Sequence, residues 1–127
     1  MTSMCLPYMR AGSHIINMAS SAAFAPIPGF GVYCASKAYV LSFSKSLRME
    51  LKKRKIHVTA VCPGPVDTPF FDRSERYTKG LPMFKKFIMN NPKRVAVKAI
   101  CDAGFHLNTS FDTPLILIAS FLGKIFL

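Results

Sequence analysis

The hydrophobic pattern divides the chain into alternating strand-like and helix-like stretches. Ser13 to Ala19 is a short apolar run without strict alternation. It is too short for a globular helix and reads as a strand covered on both faces, as in a parallel sheet. Asn17 interrupts the run and calls for a hydrogen bond close to the strand. Residues 21–32 carry Pro26, Pro28, Gly29 and Gly31 and read as a loop. From Tyr33 to Lys53 the pattern is helical, with apolar or small residues at Ala35, Tyr39, Phe43, Leu47 and Leu51 and with Lys45, Arg48, Lys52 and Lys53 on other faces. Such a helix is about 31 Å long. Ile56, Val58, Ala60 and Val61 then mark a second buried strand, stopped by Pro63-Gly64. A strand, a long helix and a strand make a right-handed βαβ unit with parallel neighbours, so the fold class is α/β.

The flanks are less regular. Residues 1–12 read as the end of a helix, with Gly12 as its stop and Pro7 awkward unless it lies in a first turn or at a kink. Residues 69–91 combine Pro69, Gly80 and Pro82 with large apolar groups such as Phe70, Phe84 and Phe87. Asn91-Pro92 starts another helix, with proline tolerated in the first turn, that runs to about Gly104. Residues 105–111 allow a last short strand, and Asp112-Thr113-Pro114 starts an apolar helix over 112–127.

Charge adds one question. The chain has 127 residues, 17 of them basic and 6 acidic, for a net charge of +11. Such an excess fits an acidic partner, a nucleic acid or an anionic membrane. It equally fits a cationic exterior, because the basic residues gather at Lys52-Lys53-Arg54-Lys55, a helix C-terminus that favours cations. Nucleic acid is therefore not expected as a partner. Cys5, Cys34, Cys62 and Cys101 are scattered, as are His14, His57 and His106, so no metal-binding spacing exists and none is expected. Reduced thiols in a cytoplasmic protein are the expectation. The N-terminus lacks the pattern of a signal peptide. The apolar tail is too short to span a bilayer and leaves room only for weak membrane association.

Candidate chemistry sits in Ser20 to Lys37. Tyr33 and Lys37 are spaced i, i+4 at the start of the long helix, about 40° apart around its axis. A phenol titrates near pH 10, and a nearby ammonium favours its ionised form. Ser20 follows the first strand and can offer a hydroxyl to a substrate oxygen. Together the three suit proton transfer to a carbonyl oxygen while a hydride reaches its carbon. Each part alone is common: exposed Tyr/Lys pairs and serine caps abound. The order strand, loop, helix, strand around them is what makes the set specific. Ligands of open parallel sheets bind beyond the carboxyl ends of the strands, where Ser20 and residues 63–68 both fall.

Ser20, Tyr33-Cys-Ala-Ser-Lys37 and Pro63-Gly64-Pro-Val66-Asp-Thr68 resemble the short-chain dehydrogenase/reductase family, over about Leu6 to Ala103. The resemblance implies the C-terminal half of a Rossmann-like, doubly wound parallel sheet and an NAD(P)H-dependent oxidoreductase. It implies Tyr33 as proton donor or acceptor and Ser20 as the group that orients the substrate oxygen. Lys37 would lower the Tyr33 pKa and bind the nicotinamide ribose. Pro63, Gly64, Val66 and Thr68 would hold the nicotinamide end. Residues 69–91 would be the substrate lid, with a composition suited to an apolar ketoacyl- or steroid-like substrate rather than a sugar; core packing by a short helix is the alternative.

The chain departs from the family pattern in having neither a T-G-x-x-x-G-x-G turn nor an Asn-Asn-Ala-Gly segment. The nucleotide-binding first half and a fourth catalytic residue, an asparagine, are then expected to be absent. Met1 opens inside an element, and whether NADH or NADPH is used stays open. An orphaned half would expose the edge of the Ser13–Ala19 strand and bare helix faces, favouring self-association. Dimerisation through the long helix is also implied by the family. The alternative to an enzyme is an inactive fragment that acts at most as an interaction module.

Overall fold

A computed structural model of the chain describes residues 2–69 and 89–112. In order they form helix α1 (Thr2–Cys5), strand β1 (His14–Met18), helix α2 (Gly31–Leu51), strand β2 (His57–Val61), helix α3 (Pro92–Gly104) and strand β3 (Thr109–Ser110). Short 3-10 turns follow α1 at Leu6–Tyr8, precede the loop to α2 at Ser21–Ala23, and end α2 at Lys52–Arg54. The expected lid and the expected C-terminal helix fall largely on residues 70–88 and 113–127, outside the described residues.

The three strands form one parallel sheet in the order β1-β2-β3. His14 pairs with His57 and Met18 with Val61, with no offset along the ladder. The bonding continues past the strand ends: Ala19 N donates to Val61 O at 2.8 Å, and Ser21 N donates to Pro63 O at 2.9 Å. On the other side Cys62 N donates to Ser110 O at 2.8 Å.

β2 is the axis of the core. Alternate residues of a strand face opposite ways, and both sides of β2 are covered. Val58, Ala60 and Cys62 pack with Leu41, Leu47 and Leu51 of α2, in two clusters completed by Ala19 and Ile56. Val61, on the opposite face, packs with Val95 and Ala99 of α3. The result is a helix on each face of the sheet, the arrangement of an α/β fold.

β1 differs from its expected burial. Its residues alternate between exposed and half-buried, and Ile16 and Met18 are 39% and 53% exposed. The side facing α2 is the better covered; there Ile15 joins the Leu47 cluster and Asn17 Nδ2 donates to Ser44 Oγ at 2.9 Å. Among the described residues, α3 lies mainly over β2 and β3 and covers less of β1.

The apolar stripe read along α2 is also corrected. Leu47 and Leu51 are buried, but Tyr39 and Phe43 are exposed and stack on each other at 6.1 Å. Positions four apart advance about 40° per step, so a run of them winds about 160° round the helix over four steps. The face that meets the sheet is Cys34, Leu41, Ser44, Leu47 and Leu51. Gly12 does adopt the left-handed conformation expected of a stop, at φ +87°, and its N–H donates to Lys55 O at 2.8 Å. The helix itself ends earlier, at Cys5, and Pro7 sits within the 3-10 turn.

Two arginines bind the layers. Arg48 donates to Val58 O at 2.9 Å and to His106 O at 2.7 Å. Arg54 donates to Leu6 O at 2.7 Å and to Met9 O at 3.1 Å. Among the described residues no helix is long and apolar enough to cross a membrane.

At the amino ends of the strands, His57 stacks on His106 at 3.8 Å and on His14 at 5.0 Å. Desolvation, then His106, His14 and Arg48, hold the His57 imidazole below its ordinary 6.5. A histidine whose folded pKa is depressed contributes its full stability above its unfolded pKa and loses it as pH falls through 6.5 towards the folded value. The urea midpoint therefore falls between about pH 7.5 and about pH 5.5, and falls less in His57→Gln. In the same assay Leu47→Ala costs about 2–5 kcal/mol and Tyr39→Ala less than about 1 kcal/mol, because only Leu47 leaves a cavity.

Candidate active site

The register of β1 on β2 brings the two strand ends level, and a cleft opens above them. Its volume is about 320 Å³, and it is lined mostly by apolar groups. Six of the residues singled out in the sequence line it: Ser20, Tyr33, Pro63, Gly64, Val66 and Thr68. Ala22, Ile27 and Phe30 add apolar wall.

Ser20 reaches this place because β1 ends two residues before it. Its backbone is extended, and its Oγ caps the 3-10 turn that follows by accepting from Ala22 N at 3.2 Å. Ser20 is buried, so the hydroxyl is held rather than solvated. The serine-cap reading and the site reading thus describe the same atom.

Tyr33 is in the first turn of α2, just after the loop containing Gly29, whose φ is +81°. Phe30 meets its ring edge-on at 6.1 Å between centroids. Lys37, one turn on, places Nζ 5.8 Å from the Tyr33 ring centroid. It is not part of the cleft lining. Its ammonium donates to Met18 O, at the end of β1, at 3.0 Å. The i, i+4 spacing therefore does bring the pair together, with the lysine tied to the strand.

The Pro63–Thr68 segment forms the opposite wall. Asp67 N donates to Asn90 O at 3.0 Å, and Asn90 N donates to Pro65 O at 2.9 Å, so Val66 and Asn90 form a parallel bridge. In such a bridge the polar groups of residues 65 and 67 face the partner and those of Val66 face away from it. Val66 O accepts from Thr68 Oγ1 at 3.3 Å. Gly64 N donates to both carboxylate oxygens of Asp112 at 3.2 Å, and Asn90 Nδ2 donates to Asp112 Oδ2 at 2.5 Å.

The contacts of Asn90 and Asp112 with the Pro63–Thr68 segment were not legible in the sequence. Asn90 stands beside a helix start, and Asp112 reads as a helix cap. Nothing local in either motif signals that both face Gly64; only the pairing of β3 with β2 carries Asp112 there.

Cys62 lies at the end of β2, fully buried behind the cleft. Burial pushes its thiol up to about 11, while Lys45, the Ser20 backbone N–H and Lys37 act in the opposite direction with less effect. A thiol is nucleophilic only as thiolate. Iodoacetamide at about pH 8 should thus label the exposed Cys5 and Cys101 in the folded chain and spare Cys62, as peptide mass spectrometry would show.

The parallel sheet thus has a helix on each face and gathers Ser20, Tyr33 and Lys37 at the carboxyl ends of its strands. The family model described as short chain dehydrogenase matches residues 1–78, and the chain belongs to that family. The probable oxidoreductase EphD of Mycobacterium tuberculosis is 46% identical over 57 residues, which are 45% of this chain and 10% of that protein. Human dehydrogenase/reductase SDR family member 4 is 40% identical over 72 residues, 55% of this chain and 26% of the relative. Among solved structures, a short-chain dehydrogenase from Sphingobium yanoikuyae in complex with NADPH is 28% identical with a TM-score of 0.65, over 77% of this chain and 36% of that one. The chain thus spans about a third or less of the length of these relatives.

Proposed function

We propose that this chain carries the catalytic half-site of an NAD(P)H-dependent oxidoreductase acting on an apolar carbonyl or alcohol, of ketoacyl- or steroid-like character. The observation that supports this reading is the convergence of Ser20, Tyr33, Pro63, Gly64, Val66 and Thr68 on one cleft in a member of the short chain dehydrogenase family. The nicotinamide, when bound, supplies or accepts the hydride. Tyr33 gives or takes the proton at the substrate oxygen, and Ser20 donates its hydroxyl hydrogen to that same oxygen, since its lone pair already serves Ala22 N. An ammonium has three donors; Lys37 spends one on Met18 O and has the others for the phenol oxygen and ribose hydroxyls. The Val66 backbone groups, turned away from Asn90, and the Thr68 hydroxyl suit the amide end of the nicotinamide. Ile27, Phe30 and Ala22 favour an apolar substrate over a sugar.

The adenosine end of the dinucleotide needs residues beyond this three-stranded unit. A second reading, an inactive interaction module, is favoured by one feature: β1 has a neighbour on one side only among the described residues, and its open face carries Ile16 and Met18. Self-association through that edge or the Tyr39/Phe43 face of α2 would follow.

Calorimetry with NADH and NADPH separates the two. On the enzyme reading the chain binds at least one of them, and Lys37→Ala weakens the binding. Tyr33→Phe then lowers turnover of apolar ketones by about a hundredfold or more with the fold intact. Absence of binding to the wild-type chain at millimolar cofactor would sink the half-site reading and leave the interaction module.

A further inference from the structure

We infer that Asn90 and Asp112 are positioning residues that lock the nicotinamide-side wall of the cleft from behind. The inference rests on the proposal that this wall holds the nicotinamide, and it concerns how the wall is held.

Pro63 to Thr68 has no helix or strand of its own to fix it, apart from the single bridge at Val66. Pro63 and Pro65 have no N–H, so between Cys62 and Val66 only Gly64 can donate from the backbone. That one N–H goes to Asp112, shared between both carboxylate oxygens at 3.2 Å. Asp112 is buried, at 8% exposure, and a buried carboxylate is costly unless its lone pairs are used. Asn90 uses one through Nδ2 at 2.5 Å. The Asn90 backbone then holds Pro65 O and Asp67 N at 2.9 and 3.0 Å. One asparagine therefore connects the carboxylate to the segment on both sides of Val66.

The consequence is directional. With residues 64, 65 and 67 committed to Asn90 and Asp112, Val66 has its backbone groups facing away from that pair. A segment held this way does not have to be ordered when a ligand arrives, which lowers the cost of binding. Asp112 is itself placed by β3, whose Thr109 and Ser110 pair with Ala60 and Val61; the same register carries residue 112 to the level of Pro63, where its side chain meets the next residue, Gly64. The same β3 residue, Ser110, donates Oγ to Asp102 of α3 at 2.6 Å, which ties the register of β3 to the helix behind it.

The test uses the full chain and reads backbone amide exchange by NMR together with NADH and NADPH titration. Asp112→Ala should speed exchange at Gly64 and Asp67 by about tenfold or more while Ala60, bonded to Asn108 O in the sheet, keeps its rate. Affinity for the nicotinamide cofactor should fall by about tenfold in parallel. The exchanged pair, Asn90→Asp with Asp112→Asn, keeps one carboxylate and one amide facing each other and should recover both readouts. The swap also guards against an unfolded single variant, because it preserves volume and charge.

Unchanged exchange at Gly64 in Asp112→Ala overturns the lock. Faster exchange at Gly64 with unchanged cofactor affinity overturns the positioning role and leaves a structural tie. Failure of the swap to recover either readout also counts against the pair. If the wild-type chain binds neither cofactor, the nicotinamide reading falls separately, and the lock is decided by Gly64 exchange alone.

Discussion

The parallel register of β1 on β2 is the constraint from which the site follows. His14 lies opposite His57 and Met18 opposite Val61, and the ladder runs on through Ala19 to Val61 and Ser21 to Pro63. A hydrogen-bonded ladder has no freedom to slide, because a shift of one residue turns every side chain to the other face. Here a slip would take Val58, Ala60 and Cys62 away from α2. Burial of those residues therefore fixes where Ser20 stands relative to Pro63 and Gly64. The cleft is the space left above strands forced to end together.

α2 serves two purposes with one geometry. Its buried face, centred on Leu41, Ser44, Leu47 and Leu51, sets its rotation against the sheet. That rotation sets the direction of Tyr33 in its first turn and of Lys37 one turn later. The bond from Lys37 to Met18 O and the bond from Arg48 to Val58 O attach the helix to both strands it connects. Packing energy spread along the helix thus positions a side chain at its end.

The charge excess has a structural account in part. Arg48 and Arg54 cap carbonyls of strands and turns, Lys37 caps the end of β1, and Lys52, Lys53 and Lys55 surround the end of α2, where the helix dipole favours cations. Several of the basic residues are thus fastenings of the fold, and an acidic partner is not needed to explain them. Membership of the short chain dehydrogenase family agrees with a sheet that has helices on both faces.

Much of this was legible from local signals. The apolar run before Ser20, the long helical period after Gly31, the Pro-Gly stop after Val61 and the Asn91-Pro92 helix start each reflect short-range chemistry, so the strands and helices fall close to their expected places. The places of Ser20, Tyr33 and the Pro63–Thr68 segment at strand ends and a helix start were legible because such ends and starts are written in consecutive residues. The burial of β1 and the inner face of α2 were not, because burial depends on which neighbours arrive, and a stripe of positions four apart drifts round a helix. Asn90 and Asp112 were least visible of all. The sequence by itself determined the elements and the order in which the residues proposed to carry the chemistry occur along them. Only the tertiary structure decided that a carboxylate 48 positions away in the chain holds Gly64, because a contact between distant residues is set by sheet register and leaves no periodic trace along the chain.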